Sequence, residues 1–250
     1  MQNDNILTKN HPSTLLSVIM TAYNAQDYIE RSIQSILKQT YKDFEFLIVN
    51  DCSTDDTLKI INKYAKIDKR IVVIDNKQNL KMSPSLNRAL RIAKGEYIAR
   101  IDADDVSLPK RLEKQLSFMQ NNKDVGLLGN AMYVCDENLK PLRTRKYPTT
   151  DKNIRKVFFN YNPFCHPSVM YKKEVAIKVG GYDVNTYPAE DLDLWFKIGK
   201  KSKLANLKDV LLKYRTTPGS MTTTNVKRME LASFKVRDKF LNSKSYKLSF

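Results

Sequence analysis

Short apolar, β-branched runs alternate with segments of helical period through the first hundred residues, and this alternation leaves few folds open. Leu15–Met20 (LLSVIM), Phe44–Val49 (FEFLIV), Ile71–Ile74 (IVVI) and Glu96–Ile101 read as buried strands. Between them, Asp27–Gln39 carries Ile29, Ile33, Ile36 and Leu37 at helical spacing. Ser53-Thr54-Asp55 supplies an N-cap signal for a helix bearing Leu58, Ile61 and Tyr64, and Pro84–Ala93 reads as a third helix. Such a chain builds an α/β fold, a mostly parallel, Rossmann-like sheet with helices on both faces. The polar clusters Thr21–Asn24, Asp51–Asp55 and Asp102–Asp105 each follow a strand, so they share the rim where open sheets bind ligands. Neither GxxxxGK[ST] nor GxGxxG follows the first strand, which excludes a P-loop or dinucleotide-binding protein by motif.

Residues 100–105 read RIDADD. Three carboxylates at one strand end repel one another unless a cation sits among them, and hard oxygen ligands suit Mg²⁺ or Mn²⁺. A divalent ion held there can grip a diphosphate. The same run also reads as an acidic loop before the helix that Leu108-Pro109 opens.

The second half is less regular. Arg111–Met119 continues as a helix, and Val125–Val134 reads as a strand broken by Gly129. Residues 136–150 are loop-rich and basic. Ser168–Tyr171 is a strand, Gly180-Gly181-Tyr182-Asp183 a turn, and Glu190–Trp195 the start of a helix. No apolar run approaches the ~20 residues that span a bilayer. The N-terminus lacks the plan of a signal peptide, which predicts a cytoplasmic protein. Cys52, Cys135 and Cys165 are widely spaced, as reduced structural thiols are. The net charge of +16 raises nucleic acid and anionic membranes as partners. No nucleic-acid-binding motif is present. The excess lies late, with 12 Lys/Arg against 3 Asp/Glu in residues 201–250. From 226 to 241, Val226, Met229, Ala232, Val236 and Phe240 fall three or four apart among basic residues. This basic amphipathic helix reads either as a peripheral membrane contact through 225–250 or as a helix packed on its own domain.

In order along the chain, SVIMTAYNAQDYIERSIQSILKQTYKDFEFLIVNDCSTDDT, GEYIARIDADD, HPSVM, GGYD and AEDLDLWFKI resemble the family-2 glycosyltransferases of bacterial capsule and lipopolysaccharide synthesis. The resemblance covers roughly residues 15–220. It implies a GT-A fold, a nucleotide-sugar donor, Mn²⁺ or Mg²⁺, and inversion at the anomeric carbon. The domain plan it implies is an extension over 1–14, a GT-A domain over 15–220 and a basic tail over 221–250. Within the domain the nucleotide-binding half is about 15–105 and the acceptor half about 106–220.

By resemblance, Thr21, Tyr23 and Asn24 form the first-strand loop, with Tyr23 against the nucleobase and Asn24 holding the loop. Asp51 matches the residue that accepts a hydrogen bond from uracil. Asp102 and Asp104 match the DxD motif, Asp102 toward ribose and metal-bound water and Asp104 as a direct ligand. Arg100 is placed to neutralise these carboxylates or to reach a phosphate. Asp191 matches the catalytic base. Glu190, His166 and Trp195 fall near the acceptor or sugar, with Trp195 as a floor beneath the ring. Each has a plainer reading. Tyr23 and Trp195 fit a core, Asp51 fits a cap on the Ser53–Asp55 turn, and His166 fits a packed turn before Pro167. Glu190, Asp191 and Asp193 fit acids complementing a helix dipole.

Two departures stand out. Thr217 occupies the place of a metal- or diphosphate-reaching histidine, where Arg215 or a water could compensate. Lys81-Met82 replaces a Gly-containing turn, with Lys81 either touching the diphosphate or tolerating the turn. The implied activity is transfer of a hexose or N-acetylhexosamine from a UDP-sugar to a glycan or lipid-linked glycan acceptor. A catalytically silent nucleotide- or glycan-binding protein and a nucleotidyltransferase are the rival readings. Retention of Asp102, Asp104 and Asp191 argues against the first, and the absence of a Gly-rich basic loop argues against the second.

Overall fold

The computed structural model describes residues 16–217 and 224–241. The 1–14 extension, the Pro218-Gly219-Ser220 end of the 214–220 run and the tail beyond 241 lie outside the described residues. The first half alternates as the periodicity predicts: β1 (Leu16–Ala22), α1 (Ile29–Leu37), β2 (Phe44–Asn50), α2 (Thr57–Ile67), β3 (Ile71–Asp75), α3 (Met82–Ile92) and β4 (Tyr97–Asp102). The N-cap signal at 53–55 is displaced slightly, with the Asp55 carboxylate accepting the Thr57 N–H at 3.0 Å. Pro84 lies in the first turn of α3, where a missing N–H costs nothing.

Then follow β5 (Val106–Ser107), α4 (Arg111–Asn121), β6 (Val125–Cys135), β7 (Pro141–Arg145), α5 (Asp151–Val157), β8 (Met170–Lys172), α6 (Lys173–Lys178), α7 (Glu190–Gly199), β9 (Lys203–Arg215) and α8 (Val226–Leu241). One sheet runs β3-β2-β1-β4-β8-β6-β9-β5, with β7 added to β6. Pairing is parallel from β3 to β4, antiparallel through β8, and parallel again between β6 and β9.

Period-two alternation splits the strands between two cores. Val18, Met20, Phe46 and Ile48 face α1, α2 and α4. Ile19, Leu47, Val49 and Ile98 face the opposite side, where α3, α7 and α8 pack. Asp102 follows Ile98 and Arg100 at two-residue steps on β4, so it emerges at the strand end on the α7 side.

Two expectations need correction. Gly129 does not break β6. It sits there because a Cβ would come within 2.1 Å of Asn206 Oδ1 and 2.8 Å of the Phe164 ring. The basic 136–150 segment is not all loop, since Pro141–Arg145 pairs with β6 as an exposed edge strand. Of the two readings open for 226–241, packing on its own domain holds over the second half of α8. Val236 and Phe240 are buried, and the Phe240 ring stacks on Phe196 with centroids 4.7 Å apart. Asp193 is more than a dipole-complementing acid. Fully buried, it pairs with Lys197 at 2.5 Å and with Lys239 of α8 at 2.8 Å, pinning α8 to α7. The cysteines are free thiols, as expected. No helix among the described residues is long and apolar enough to cross a membrane.

Candidate active site

The C-terminal ends of β1, β2 and β4 converge on a cleft of about 470 Å³ lined by Thr21, Tyr23, Asn24, Asp51, Asp102 and Asp104. Tyr23 is 51% exposed at its mouth, which rules out a core role. Asn24 adopts a left-handed φ of 47°. Its Oδ1 accepts the Thr54 N–H at 2.8 Å and its own N–H reaches Ser53 Oγ, so the two rim loops hold each other.

Asp51 does not cap the 53–55 turn. Its Oδ1 accepts from Asn76 Nδ2 (2.7 Å), Leu80 N (2.9 Å) and Ser85 Oγ (2.9 Å), and its Oδ2 accepts the Lys81 N–H at 2.8 Å. Lys81 has φ 70°, a left-handed conformation that disfavours a non-glycine residue. The bond to Asp51 offsets that cost, which explains how this turn dispenses with glycine. A carboxylate has about four lone-pair sites, so Oδ2 keeps capacity for another donor.

Asp102, Asp104 and Asp105 each present an oxygen within 4.8 Å of the others. Burial and the Asp102 charge push Asp104 up to about 6. Asp105, fully buried beside the other two, is raised well above its ordinary value. Its Oδ2 has no hydrogen-bond partner among the described residues. Crowded, hard oxygen donors with one atom unsatisfied are the set that a divalent cation such as Mn²⁺ or Mg²⁺ accepts, so the residues fit such an ion.

The backbone of this loop is held from below. Ser32 Oγ reaches the Ala103 and Asp105 carbonyls at 2.7 and 2.6 Å. Arg215 donates its backbone N–H to Asp105 Oδ1 and its Nε to the Asp104 carbonyl, while its guanidinium lies over the Tyr28 ring. Arg215 therefore braces the loop through its backbone N–H and its Nε.

Arg100 and Trp195 are both fully buried and stand behind the clefts. The Arg100 guanidinium neutralises Asp102 Oδ1 at 2.5 Å and does not extend to a phosphate. Trp195 packs among Phe164, His166, Tyr171 and Tyr182, a core role that excludes it as an open floor for a sugar.

A second cavity of about 590 Å³ adjoins the first, sharing Met82, Asp102, Tyr187 and Tyr214 in its walls. His166, Glu190 and Asp191 line it. Asp191 sits in the first turn of α7. Its Oδ2 accepts from Asn162 Nδ2 at 2.8 Å and its Oδ1 from the Leu192 N–H at 2.7 Å. Burial raises its pKa despite those bonds. Glu190, 4% exposed, is pushed up to about 7 by burial and by the Asp191 charge. His166 Nε2 lies 3.1 Å from Tyr182 Oη, and burial with the nearby Arg100 charge holds the ring neutral, well below its ordinary pKa.

Sequence reasoning missed Asn162, which orients Asp191. It also missed Arg111, whose buried guanidinium holds the Arg100 carbonyl at 2.5 Å and Ser107 Oγ at 2.9 Å. A signal for Arg111 existed, because Arg111 and Gln115 lie four apart on the same helix as Leu112, Leu116 and Met119.

The chain matches the family described as Glycosyl transferase family 2 over residues 17–180. It is 36% identical over 230 residues to the O-antigen biosynthesis glycosyltransferase WbnJ of Escherichia coli, covering 90% of this chain and 88% of that one. It is 32% identical over 221 residues to the E. coli UDP-Glc:alpha-D-GlcNAc-diphosphoundecaprenol beta-1,3-glucosyltransferase WfaP, covering 86% and 82%. Among solved structures, residues 1–349 of S. aureus TarS in complex with UDP-GlcNAc superpose with a TM-score of 0.76 at 20% identity, covering 94% of this chain and 68% of that one.

Proposed function

The chain belongs to glycosyl transferase family 2 and has a GT-A fold, and we propose that it moves a hexose or N-acetylhexosamine from a UDP-sugar to a cell-surface glycan acceptor with inversion. The observation that carries this reading is the meeting of the two cavities at Asp102, with Asp104 on one side and Asp191 on the other. UDP fits the first cleft, with Tyr23 beside the base and Asp51 Oδ2 offering a lone pair to a nucleobase N–H. The acceptor fits the second.

In a single displacement the acceptor oxygen attacks C1 as its proton passes to Asp191. The O–C1 bond forms, the bond from C1 to the diphosphate oxygen breaks, and the electron pair leaves with UDP. A divalent cation held by Asp102 and Asp104 would neutralise charge on the departing diphosphate. Arg100 holds the Asp102 carboxylate from behind, at 2.5 Å. A lipid-linked acceptor is supported by the substrate in the name of WfaP. Incubation with a panel of UDP-sugars and Mn²⁺ or Mg²⁺ should release UDP from one of them, and failure to bind UDP at all would sink the reading.

A lipid-linked acceptor requires a membrane surface. The face of α8 turned away from the core exposes Leu231 (57%), Phe234 (65%) and Leu241 (56%) on a basic helix, and we place the peripheral contact there. It is not the inward stripe that periodicity suggested. Co-sedimentation with phosphatidylglycerol vesicles is expected, and the Leu231→Glu, Phe234→Glu double variant should lose it. Undiminished sedimentation of that variant would refute the contact.

A further inference from the structure

The basic 136–150 segment has no part in the mechanism above, yet part of it faces the acceptor cavity. Within β7, Arg143 and Arg145 are two residues apart and so share one face of the strand. In the ladder they stand opposite Val134 and Met132 of β6, and all four side chains line the cavity that holds Glu190 and Asp191. Neither arginine lines the donor cleft. Neither forms a salt bridge among the described residues, although carboxylates line the same cavity. The Arg145 guanidinium lies over the Tyr147 ring, 5.1 Å from its centroid, a cation–π contact that holds the side chain at the cavity.

Two guanidiniums on adjacent same-face positions stand ~7 Å apart at their Cα atoms. That spacing allows both forks to close on one phosphate, the planar bidentate recognition for which arginine is suited. α8 also contributes to the lining of this cavity, through Met229 and Ser233. The cavity thus runs from the carboxylates that would activate an acceptor hydroxyl to a cationic edge strand beside the helix assigned to the membrane.

We infer that Arg143 and Arg145 form an anion subsite for a phosphate carried by the acceptor, so that the enzyme selects a phosphate-bearing glycan over a neutral one. The inference rests on the donor and acceptor assignment above. The phosphate belongs either to a lipid carrier or to a phosphodiester within the glycan.

The test is calorimetric titration of the full chain saturated with UDP and Mn²⁺. Two matched pairs serve as probes: geranyl phosphate against geraniol, and N-acetylglucosamine 1-phosphate against methyl N-acetylglucosaminide. The phosphate member of a pair should bind roughly 10–100-fold more tightly, as expected for charge-assisted hydrogen bonds. An advantage confined to the geranyl pair identifies a phosphate read together with its lipid, and one confined to the sugar pair a phosphate read together with its sugar. The Arg143→Ala, Arg145→Ala double variant should lose that advantage while binding UDP as the wild type does, which also shows that it is folded. No phosphate advantage in either pair overturns the inference, as does an advantage that survives in the double variant. A wild type that fails to bind UDP removes the donor assignment instead, and reveals this before the second ligand is added.

Discussion

Asp191→Asn is expected to lower kcat by ~10²–10⁴, the usual contribution of a positioned general base, while leaving the KM for the donor nearly unchanged. The amide keeps the shape of the carboxyl group, and its oxygen can still accept from Asn162 or Leu192, so the fold should survive. What it cannot do is take the proton of the attacking hydroxyl. A base must be ionised, so wild-type kcat should rise with pH through the Asp191 pKa and then level off. Burial places that pKa above the ordinary carboxylate value. The residual rate of the Asn variant should lack this limb.

Glu190 is the competing candidate, raised to about 7 in the same cavity. If Glu190 were the base, the acidic limb would have its midpoint near that value, and Glu190→Gln would abolish turnover. If Asp191 is the base, Glu190→Gln keeps turnover and an acidic limb. The same variant has a stability signature. The folded Glu190 binds its proton more tightly than the unfolded one, whose reference value is 4.5. Its contribution to stability is therefore full below pH 4.5 and lost as pH rises through about 7. Glu190→Gln should match the wild type at pH 4 and exceed it at pH 8, by at most about 3 kcal/mol. Thermal unfolding at the two pH values measures this.

How much was legible in advance depended on whether local pattern or distant packing set each feature. The alternation from β1 to β4 was readable because both periodicities are local and the strands are long and apolar. β7 and α5 were not, because an exposed edge strand has no buried face to impose alternation and a seven-residue helix has little room for a period. Motif order singled out Asp102, Asp104 and Asp191, and the fold gathers them around the two adjoining cavities. The burial of Trp195 was not legible, since the five aromatic rings of that cluster come from residues 164 to 195 and meet only in the fold. Arg100 stood in plain view in RIDADD. That it faces inward follows from two-residue alternation with Ile98 on β4. Asp51 shows the limit most clearly, because its four donors come from residues 76 to 85, on elements the sequence does not link to it.

The second large effect is expected from Asp104→Asn, which should cost at least ~10²-fold in metal-dependent UDP release, since a directly bound cation supplies several kcal/mol of transition-state stabilisation. The three carboxylates at the end of β4 are not equivalent in their packing, and this makes the loss separable from unfolding. Asp105 is fully buried and accepts the Arg215 N–H, so its replacement disturbs the junction of β4 and β9. Asp104 faces the donor cleft, and its carbonyl, not its carboxylate, receives the Arg215 Nε. An amide at position 104 therefore leaves the brace in place and relieves repulsion from its acidic neighbours. Asp104→Asn should unfold at a temperature no lower than the wild type in metal-free buffer, while Asp105→Asn should unfold earlier. Mn²⁺ should raise the wild-type unfolding temperature and leave that of Asp104→Asn unmoved. Equal stabilisation of both proteins by Mn²⁺ would show that Asp104 is not a ligand. Undiminished UDP release by the variant would show that the reaction does not depend on a cation at this site.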